Sequence, residues 1–393
     1  MQMHFPVNRS AAEAGASWMN RVFLTGTGVH IPEPVITNAE LVTSFNAWVD
    51  IENARRSAAG EELLAHSDAG FIEKASGILE RHVLEKDGIL DPNRMVPNIP
   101  ERADDELSVQ AEFAVASAKV ALENAGRAPE EIDMIICSCA QHQRPYPAIA
   151  IEVQRALGCD GSAFDMNVAC SASTFAMHVA VNLVRTGSAR TVLVVSPEIM
   201  SGHLNWRDRQ THFIFGDASA AAIVEGGAPT DPPRGGFEVM DSRTWTEFSS
   251  NIRSNFGFLN RADESGVGMP DKLVTQQGQK VFKEVTAAAC AFLVDFLDDN
   301  GAKPEDIKRY WLHQANLRMN RLLMRNLLGH EPSETEMPLV LHKYGNTASP
   351  GSLITFHENQ DDLKPGDLGL ICSYGAGYSI GSLLLSKCVP DAD

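Results

Sequence analysis

An internal repeat constrains the fold of this chain more than any other feature of its sequence. Residues 125–136 read Ala-Gly-Arg-Ala-Pro-Glu-Glu-Ile-Asp-Met-Ile-Ile, and residues 300–311 read Asn-Gly-Ala-Lys-Pro-Glu-Asp-Ile-Lys-Arg-Tyr-Trp. Each copy predicts a helix that ends at its glycine, a Pro-Glu turn and the start of a strand. The same supersecondary unit therefore occurs twice, and the fold must be built from a duplication.

The repeat extends beyond these two segments. Helical spacing of apolar residues precedes both copies, at 107–124 and 279–300, and short buried strands follow them, at 190–195 and 366–372. Alternation of core-facing helices with near-continuous apolar strands indicates an α/β fold in which helices cover mixed sheets. We therefore predict two duplicated mixed-sheet halves.

Two irregular stretches mark the boundaries within the chain. The segment 226–236 is rich in Gly and Pro and predicts a surface connection, so we place one half at 20–230 and the other at 231–393. The segment 46–69 looks like a helical insertion. Two interpretations of it stay open, a solvated excursion, which we favour, and the mouth of a pocket.

Composition removes several classes of function. With 33 Lys+Arg against 51 Asp+Glu the net charge is -18, which disfavours nucleic acid as a partner. The apolar runs are too short to cross a bilayer, so we expect no membrane span. The seven cysteines and the lack of an apolar signal-like core before Arg21 favour a reducing cytoplasm.

The sequence gives no sign of a metal or cofactor. Cys137 and Cys139 lie on one strand, but no further ligand pair follows them, so we expect no metal site. The glycine-rich segments 26–28 and 375–381 lack the G-x-G-x-x-G spacing that opens a helix, so we expect no bound dinucleotide.

Three side chains are candidates for chemistry. Cys170 follows a strand-like run and opens the predicted helix 171–185, where the helix dipole favours a thiolate. Asn346 occupies the corresponding position in the second half, and His313 sits at a predicted strand end. From the residues alone, a buried structural cysteine and a hydrogen-bonded structural histidine remain alternatives.

Several motifs then match a known family along nearly the whole chain. The chain resembles the β-ketoacyl-acyl carrier protein synthase III enzymes of the thiolase superfamily. The matching segments are GTGVHIPE at 26–33, GILERH at 77–82, ACSA at 169–172, FGDASAA at 215–221, HQANLR at 313–318, YGNT at 344–347, YGAGY at 374–378 and GS at 381–382. The resemblance implies a thiolase-like fold with α-β-α-β-α layers.

The resemblance implies a decarboxylative Claisen condensation by Cys170, His313 and Asn346. Cys170 would carry the acyl group from an acyl-CoA, a task for a thiol with a depressed pKa. The backbone N–H groups of Cys170 and Ala376 would form the oxyanion hole. An amide cannot act as a general base, so Asn346 favours decarboxylation of a malonyl-acyl carrier protein over proton abstraction.

The substrate-binding positions depart from the family pattern. Phe71 and Ala75 stand where compact members have a Trp and an Arg that hold the adenine of coenzyme A, and Arg209 keeps a cation for the other face of the ring. Tyr146 stands where a neighbouring subunit limits chain length, and Tyr374 is another candidate wall. Together with the 46–69 segment, they lead us to expect a medium-chain acyl-CoA primer.

The expected partners also follow from the resemblance. Arg318, Arg321 and Arg325 share one side of the predicted helix 317–328, and we expect them to dock an acyl carrier protein. A merely solvated basic face is the alternative. A homodimer is expected as well. Other activities stay open: acyltransfer or thioester hydrolysis, head-to-head joining of two acyl-CoA molecules, or a non-catalytic subunit.

Overall fold

The computed structural model describes residues 21–227, 236–255, 257, 262, 264–266 and 269–388. Its strands are β1 (Val22–His30), β2 (Val35–Thr37), β3 (Glu80–His82), β4 (Met134–Cys139), β5 (Ser162–Asn167), β6 (Thr191–Glu198), β7 (Ala218–Gly226), β8 (Phe237–Ser249), β9 (Ile252–Ser254), β10 (Val274–Gln276), β11 (Ile307–Leu312), β12 (Leu368–Gly375) and β13 (Gly377–Lys387). Its α-helices are α1 (Asn38–Ala59), α2 (Ala69–Ser76), α3 (Asp87–Leu90), α4 (Val109–Ala125), α5 (Ile149–Leu157), α6 (Ala172–Arg185), α7 (Gly278–Asp299), α8 (Leu317–Leu328), α9 (Leu341–Tyr344) and α10 (Gly351–Glu358).

One nine-stranded mixed sheet, in the order β11-β12-β13-β8-β1-β7-β6-β4-β5, contains both halves of the molecule. In the first half, β4 runs parallel to β6, and β6 runs antiparallel to β7. The second half repeats this pattern, since β11 is parallel to β12 and β12 is antiparallel to β13. Antiparallel pairing of β1 with β8 joins the two halves.

Helices cover the two half-sheets on both sides and also lie between them. One hydrophobic cluster combines α6 and α10 with strands of both halves, so these helices form a central layer. A second cluster places α4 and α5 against β4, β6 and β7, and a third places α7 and α8 against β11, β12 and β13. The layers are therefore α-β-α-β-α, which confirms the predicted fold class.

The elements of the repeat fall close to their predicted places. Helix α4 ends at a left-handed Gly126, and α7 is followed by Gly301, whose φ is 66°. These glycines accept a backbone conformation that a side chain would strain. β7 ends and β8 begins on either side of the predicted join, of which residues 228–235 lie outside the described part. The boundaries 20–230 and 231–393 remain predictions.

The segment 46–69 is not a separate helical insertion. Its first part continues α1, whose Phe45 and Val49 are buried. The part after α1 is held back against that helix, because Asn53 and Leu64 exchange two hydrogen bonds and the Ser67 N–H donates to Asn46. The segment is thus ordered against α1, and most of its residues after Val49 are exposed, as a solvated excursion requires.

Within the described residues, no helix is both long enough and apolar enough to span a membrane.

Candidate active site

Cys170 lies in a short 3₁₀ turn, Ala169–Ser171, between β5 and the first turn of α6. The residue before it, Ala169, has a φ of 46°, in the left-handed region that strains a residue with a side chain. The side chain of Asn167 accepts a hydrogen bond from the Ala169 N–H at 3.1 Å and supports this conformation. The turn fixes the backbone next to the thiol.

The end of β12 comes unusually close to this thiol. A Cβ atom added to Gly375 would lie 2.6 Å from the Cys170 Cβ and 2.9 Å from its Sγ, so only glycine fits there. The backbone N–H groups of Ala376, the residue after Gly375, and of Cys170 itself both lower the pKa of the thiol. The two N–H groups named as the oxyanion hole are therefore near the Cys170 sulphur.

The expectation of a depressed thiol pKa is wrong. Desolvation by the surrounding protein raises the pKa of Cys170 to about 11, although the two backbone N–H groups pull it down. The sequence argument relied on the helix dipole, but regular α6 begins only at Ala172. Burial outweighs the dipole, so the resting residue is a neutral thiol at pH 7.

His313 follows the last residue of β11 and is fully enclosed. Its N–H donates to the Cys372 carbonyl at 2.8 Å, and its own carbonyl accepts from the Asn320 amide at 3.0 Å. Burial lowers the pKa of the imidazole to about 4. His313 is therefore neutral at pH 7, with one ring nitrogen as donor and the other as acceptor.

Tyr374 supports His313 from the side. The two rings meet edge to face with centroids 5.7 Å apart. The buried Tyr374 hydroxyl donates to Asn320 Oδ1 at 2.6 Å, and Asn320 in turn holds the His313 carbonyl. This residue was expected to line the acyl pocket; the structure places it against the imidazole, and a role as a wall remains a prediction.

Asn346 lies in the loop between α9 and α10. Its N–H donates to the Ile214 carbonyl at 2.8 Å, and its carbonyl accepts from the Gly216 N–H at 3.1 Å. The side-chain Oδ1 accepts from the Ala348 N–H at 2.9 Å. Because the amide oxygen is engaged, the NH₂ is the group that can donate to a substrate.

Short links connect the three segments. Cys170 and His313 both contact the last residues of β12, as described above. The Asn346 loop reaches α6 through Ser173, whose hydroxyl donates to the Ser349 carbonyl at 2.6 Å. It reaches the His313 segment through Gly351, where an added Cβ would lie 3.4 Å from the Gln314 Cβ. The structure thus brings the predicted trio to the junction of the two halves.

Sequence reasoning missed a buried carboxyl group at this junction. Glu198, the last residue of β6, accepts hydrogen bonds from the Ser349 side chain and from the Ala140 N–H, the latter at 2.7 Å. Burial raises the pKa of Glu198 to about 7. The residue links the Asn346 loop to the end of β4. Only its place at a strand end, next to Pro197, could have suggested it.

Phe71 and Arg209, the two residues expected to hold the adenine, lie in contact with each other in the structure. The Arg209 guanidinium lies 5.2 Å from the centre of the half-exposed Phe71 ring. Arg209 is held in place because its Nε donates to the His66 carbonyl at 2.6 Å. Since His66 belongs to the 46–69 segment, the contact favours the pocket-mouth interpretation of that segment. Ligand binding at this pair remains a prediction.

A cleft of about 620 Å³ opens between α2 and α8. Among its walls are Lys74, Arg318 and Arg321, with Glu73 as the one acid. Arg325 is exposed on the same helix but one turn further on, where both it and Arg321 approach Glu331 at 3.6–3.8 Å. Two of the three predicted docking residues therefore line the cleft.

Tyr146 is the most exposed of the predicted substrate residues. Its side chain is 81% exposed, in the loop between β4 and α5. Such an exposed aromatic ring is not a wall of its own chain's pocket. A side chain that reaches the acyl pocket of a neighbouring subunit, as we expect of Tyr146, must be exposed in its own chain.

Layered α/β halves that meet at a Cys, a His and an Asn define a condensing enzyme of the thiolase fold. Family models agree: the 3-oxoacyl-[acyl-carrier-protein] synthase III model matches residues 164–243, and its C-terminal model matches 297–387. The β-ketodecanoyl-[acyl-carrier-protein] synthase of Pseudomonas aeruginosa is 52% identical over 348 residues, covering 88% of this chain and 99% of that protein. The chain belongs to the 3-oxoacyl-[acyl-carrier-protein] synthase III family.

Solved structures support the same assignment. The crystal structure of 3-oxoacyl-[acyl-carrier-protein] synthase III from Aquifex aeolicus has a TM-score of 0.72 at 27% identity, with 93% of this chain and 99% of that chain covered. The priming β-ketosynthase of the R1128 polyketide pathway has a TM-score of 0.75 at 24% identity, covering 94% and 97%. At 24% identity, the similarity to the R1128 enzyme shows the fold alone.

Proposed function

We propose that the protein condenses a medium-chain acyl-CoA with malonyl-acyl carrier protein to give 3-oxoacyl-acyl carrier protein, CO₂ and coenzyme A. The observation that carries the proposal is the close approach of the end of β12 to the thiol, where a Cβ on Gly375 would lie 2.9 Å from the Cys170 Sγ, next to the Ala376 N–H. This arrangement suits an acyl-thioester intermediate, and family membership supports the overall reaction.

In the first step, the Cys170 sulphur attacks the thioester carbonyl of the primer. The carbonyl oxygen becomes an oxyanion that the two backbone N–H groups stabilise. The tetrahedral intermediate collapses, coenzyme A leaves as a thiol, and the acyl group stays on Cys170. Because the resting thiol is neutral, its proton leaves as the S–C bond forms and is taken up by the departing coenzyme A sulphur.

In the second step, the malonyl thioester loses CO₂ and becomes an enolate. His313 and Asn346 each offer an N–H donor to the enolate oxygen, one from a neutral imidazole and one from an amide. The enolate carbon then attacks the acyl carbonyl, and Cys170 leaves as a thiolate that takes up a proton. No general base is needed, since decarboxylation supplies the carbanion.

The length of the primer is inferred from the relative's product. The P. aeruginosa protein is named for a β-ketodecanoyl product. Condensation with a malonyl group adds two carbons, so the same product would require an eight-carbon primer. We propose octanoyl-CoA as the preferred primer here, with Tyr146 from the neighbouring subunit at the acyl end. Phe71 and Arg209 would separate to take its adenine between them.

A homodimer in the cytoplasm completes the proposal. Strand β5 is the edge strand of the sheet, with unpaired backbone groups on its outer side and Phe164 37% exposed, which suits pairing with a second copy. All seven cysteines are free thiols, as suits a reducing compartment. The reaction as written requires no cofactor beyond the coenzyme A thioester.

Separate measurement of the two half-reactions tests these roles. We expect His313→Ala and Asn346→Ala to keep at least a tenth of the wild-type rate of Cys170 acylation. We expect each to slow CO₂ release from malonyl-acyl carrier protein by roughly 100-fold, the usual cost of one oxyanion donor. The control is Asn326→Ala on the exposed side of α8. Loss of acylation with decarboxylation intact would contradict the assignment.

The products distinguish the alternative activities. Free fatty acid would indicate hydrolysis, an ester would indicate acyltransfer to an alcohol, and a β-keto product formed without malonyl substrate would indicate head-to-head condensation. We expect 3-oxodecanoyl-acyl carrier protein and CO₂ in equal amounts.

A further inference from the structure

Two thiols and an imidazole come together away from the active site. Cys137, Cys139 and His142 each direct one ligand atom to a common point, and these atoms all lie within 4.8 Å of one another. Sequence reasoning dismissed a metal site here because no further ligands followed the Cys-x-Cys pair. The structure supplies the third ligand from the loop after β4.

The backbone explains why these three side chains meet. Cys137 and Cys139 are two residues apart on β4, so their side chains share one face of the sheet. Asp165 on the neighbouring parallel strand is in register with Cys137. Its Oδ2 lies 3.7 Å from the His142 Nε2, so a carboxylate stands at the edge of the group.

The group is separate from the catalytic thiol. Cys137 belongs to the hydrophobic cluster formed with the outer helices α4 and α5. Cys170, by contrast, contacts Gly375 at the junction of the halves. The two cysteine sites therefore belong to different layers of the molecule.

His142 carries an unsatisfied polar atom. Its Nε2 is buried and forms no hydrogen bond, and the Asp165 carboxylate at 3.7 Å is beyond hydrogen-bond distance. The Asp165 carboxylate is itself held by the N–H groups of Ile149 and Ala150, both at 2.8 Å, which fixes its position. A buried nitrogen that forms no hydrogen bond costs free energy unless something binds it.

We propose that Cys137, Cys139 and His142 bind a zinc-type divalent ion, with Asp165 or a water molecule as the fourth ligand. Two sulphur ligands and one nitrogen suit Zn²⁺, whose thiolate and imidazole ligands form a tetrahedron. Bond lengths of about 2.3 Å to sulphur and about 2.0 Å to nitrogen place such ligands roughly 3.5–4 Å apart. The present spacing needs to contract by about 1 Å or less.

The ion would tether the loop between β4 and α5. His142 begins that loop, and Tyr146 lies further along it with its side chain exposed. With the ion bound, the start of the loop would be fixed to the sheet. The proposal stands whether or not the chain performs the condensation proposed above.

Metal titration of the full chain, purified without an affinity tag and kept reduced, tests the site. After removal of metal by a chelator, we expect the protein to bind one Zn²⁺ per chain. Substitution with Co²⁺ should give the thiolate-to-cobalt charge-transfer band and the visible bands of a tetrahedral ion.

Variants locate the site. We expect the double variant Cys137→Ser/Cys139→Ser to lose the charge-transfer band. We expect His142→Ala to weaken Zn²⁺ binding at least about 100-fold, since even residues that only support a ligand contribute roughly 10–100-fold. Cys290→Ser on α7 is the matched control and should bind as the wild type does.

The proposal is overturned if the folded wild type shows no thiolate-to-cobalt band, or if the band persists in the double variant. Failure of the chelator-treated wild type to take up one Zn²⁺ per chain overturns it too, and this result needs no variant to fold.

Discussion

Cys170 and His313 face the substrate as neutral groups, since burial raises the pKa of the thiol to about 11 and lowers that of the imidazole to about 4. The site therefore does not hold a resting thiolate–imidazolium pair. Negative charge in this site is stabilised by fixed N–H groups, which act only once that charge develops on sulphur or oxygen. Such preorganised donors are worth more in a dry site than in water.

The approach of β12 to the thiol gives a first prediction. Gly375→Ala should slow acylation of Cys170 by at least roughly 100-fold, because the new Cβ would lie 2.6 Å from the Cys170 Cβ and must displace the thiol from the Ala376 N–H. Acylation is measured by intact mass after rapid mixing with octanoyl-CoA. Gly202→Ala, where a Cβ meets nothing within 4 Å, is the control. Equal rates in both variants would refute the contact.

The buried carboxyl group at the junction gives a second prediction. The folded-state pKa of Glu198, about 7, lies above the usual value of 4.5 for a glutamate, so the folded protein binds the proton more tightly than the unfolded chain does. Its contribution to stability is complete below pH 4.5 and is lost as pH rises through 7. The loss is on the order of 3 kcal/mol.

Denaturant unfolding across this range checks the sign. Relative to the wild type, Glu198→Gln should gain free energy of unfolding as pH rises from 4.5 to 7, because the amide cannot ionise. Titration of other acids, such as the buried Asp217, is common to both proteins and cancels in the difference. A difference that does not change with pH would show that Glu198 does not titrate there.

At the scale of elements, α2 and α8 frame the cleft that holds Lys74, Arg318 and Arg321. Helix α8 exposes its arginines because its other side, which includes Leu323, Met324 and Leu327, is buried against the second half-sheet. Helix α2 presents the exposed Phe71. The net charge of -18 repels an acidic partner from most of the surface. We therefore propose that an acidic carrier protein docks at this local basic edge.

Charge reversal on α8 tests carrier docking. Arg318→Glu should raise the KM for malonyl-acyl carrier protein roughly tenfold with little change in kcat, since it affects encounter and not chemistry. The effect should shrink at high salt. Lys119→Glu, on the exposed side of α4, makes the same charge change elsewhere and should leave KM unaltered. A lower kcat with constant KM for Arg318→Glu would argue against docking.

The elements, and the meeting of Cys170, His313 and Asn346 at the junction of the halves, could be predicted because local sequence carries them. Neighbouring residues are enough to identify the helices that end at glycine, the apolar strands and the HQANLR and YGNT motifs. The structure places these features as expected. The thiol pKa could not be predicted, since it depends on burial by β12, which is more than two hundred residues away in sequence. Glu198 was missed for the same reason, since its partner Ser349 comes from the other half of the chain. His142 was missed although it stands only three residues after Cys139, because no second pair of ligands follows the two cysteines.

At the scale of the whole molecule, the sheet ends at β5 on one side and at β11 on the other. β5 is the more exposed of the two edges, with most of its residues half-buried or exposed. An edge of this kind invites pairing with another chain unless it is covered. The proposed dimer covers it and brings the exposed Tyr146 toward a second subunit.

Disruption of this edge tests the dimer. Phe164→Asp should raise the dimer dissociation constant at least about 100-fold, because it removes a buried ring and inserts a charge into the interface. Light scattering during size-exclusion chromatography reports the mass of the particle. Val294→Asp, on the outer helix α7 and 39% exposed, should remain dimeric. A dimer that persists in Phe164→Asp would place the interface elsewhere.

The central claim is that Cys170 carries an acyl group that a malonyl thioester removes as a condensed product. Intact-protein mass should be measured after incubation with acyl-CoA thioesters of graded length, and again after malonyl-acyl carrier protein is added. We expect an octanoyl adduct on Cys170, absent from Cys170→Ala, that clears on the second addition as 3-oxodecanoyl-acyl carrier protein appears. An adduct that persists, or that clears into free acid, would contradict the account.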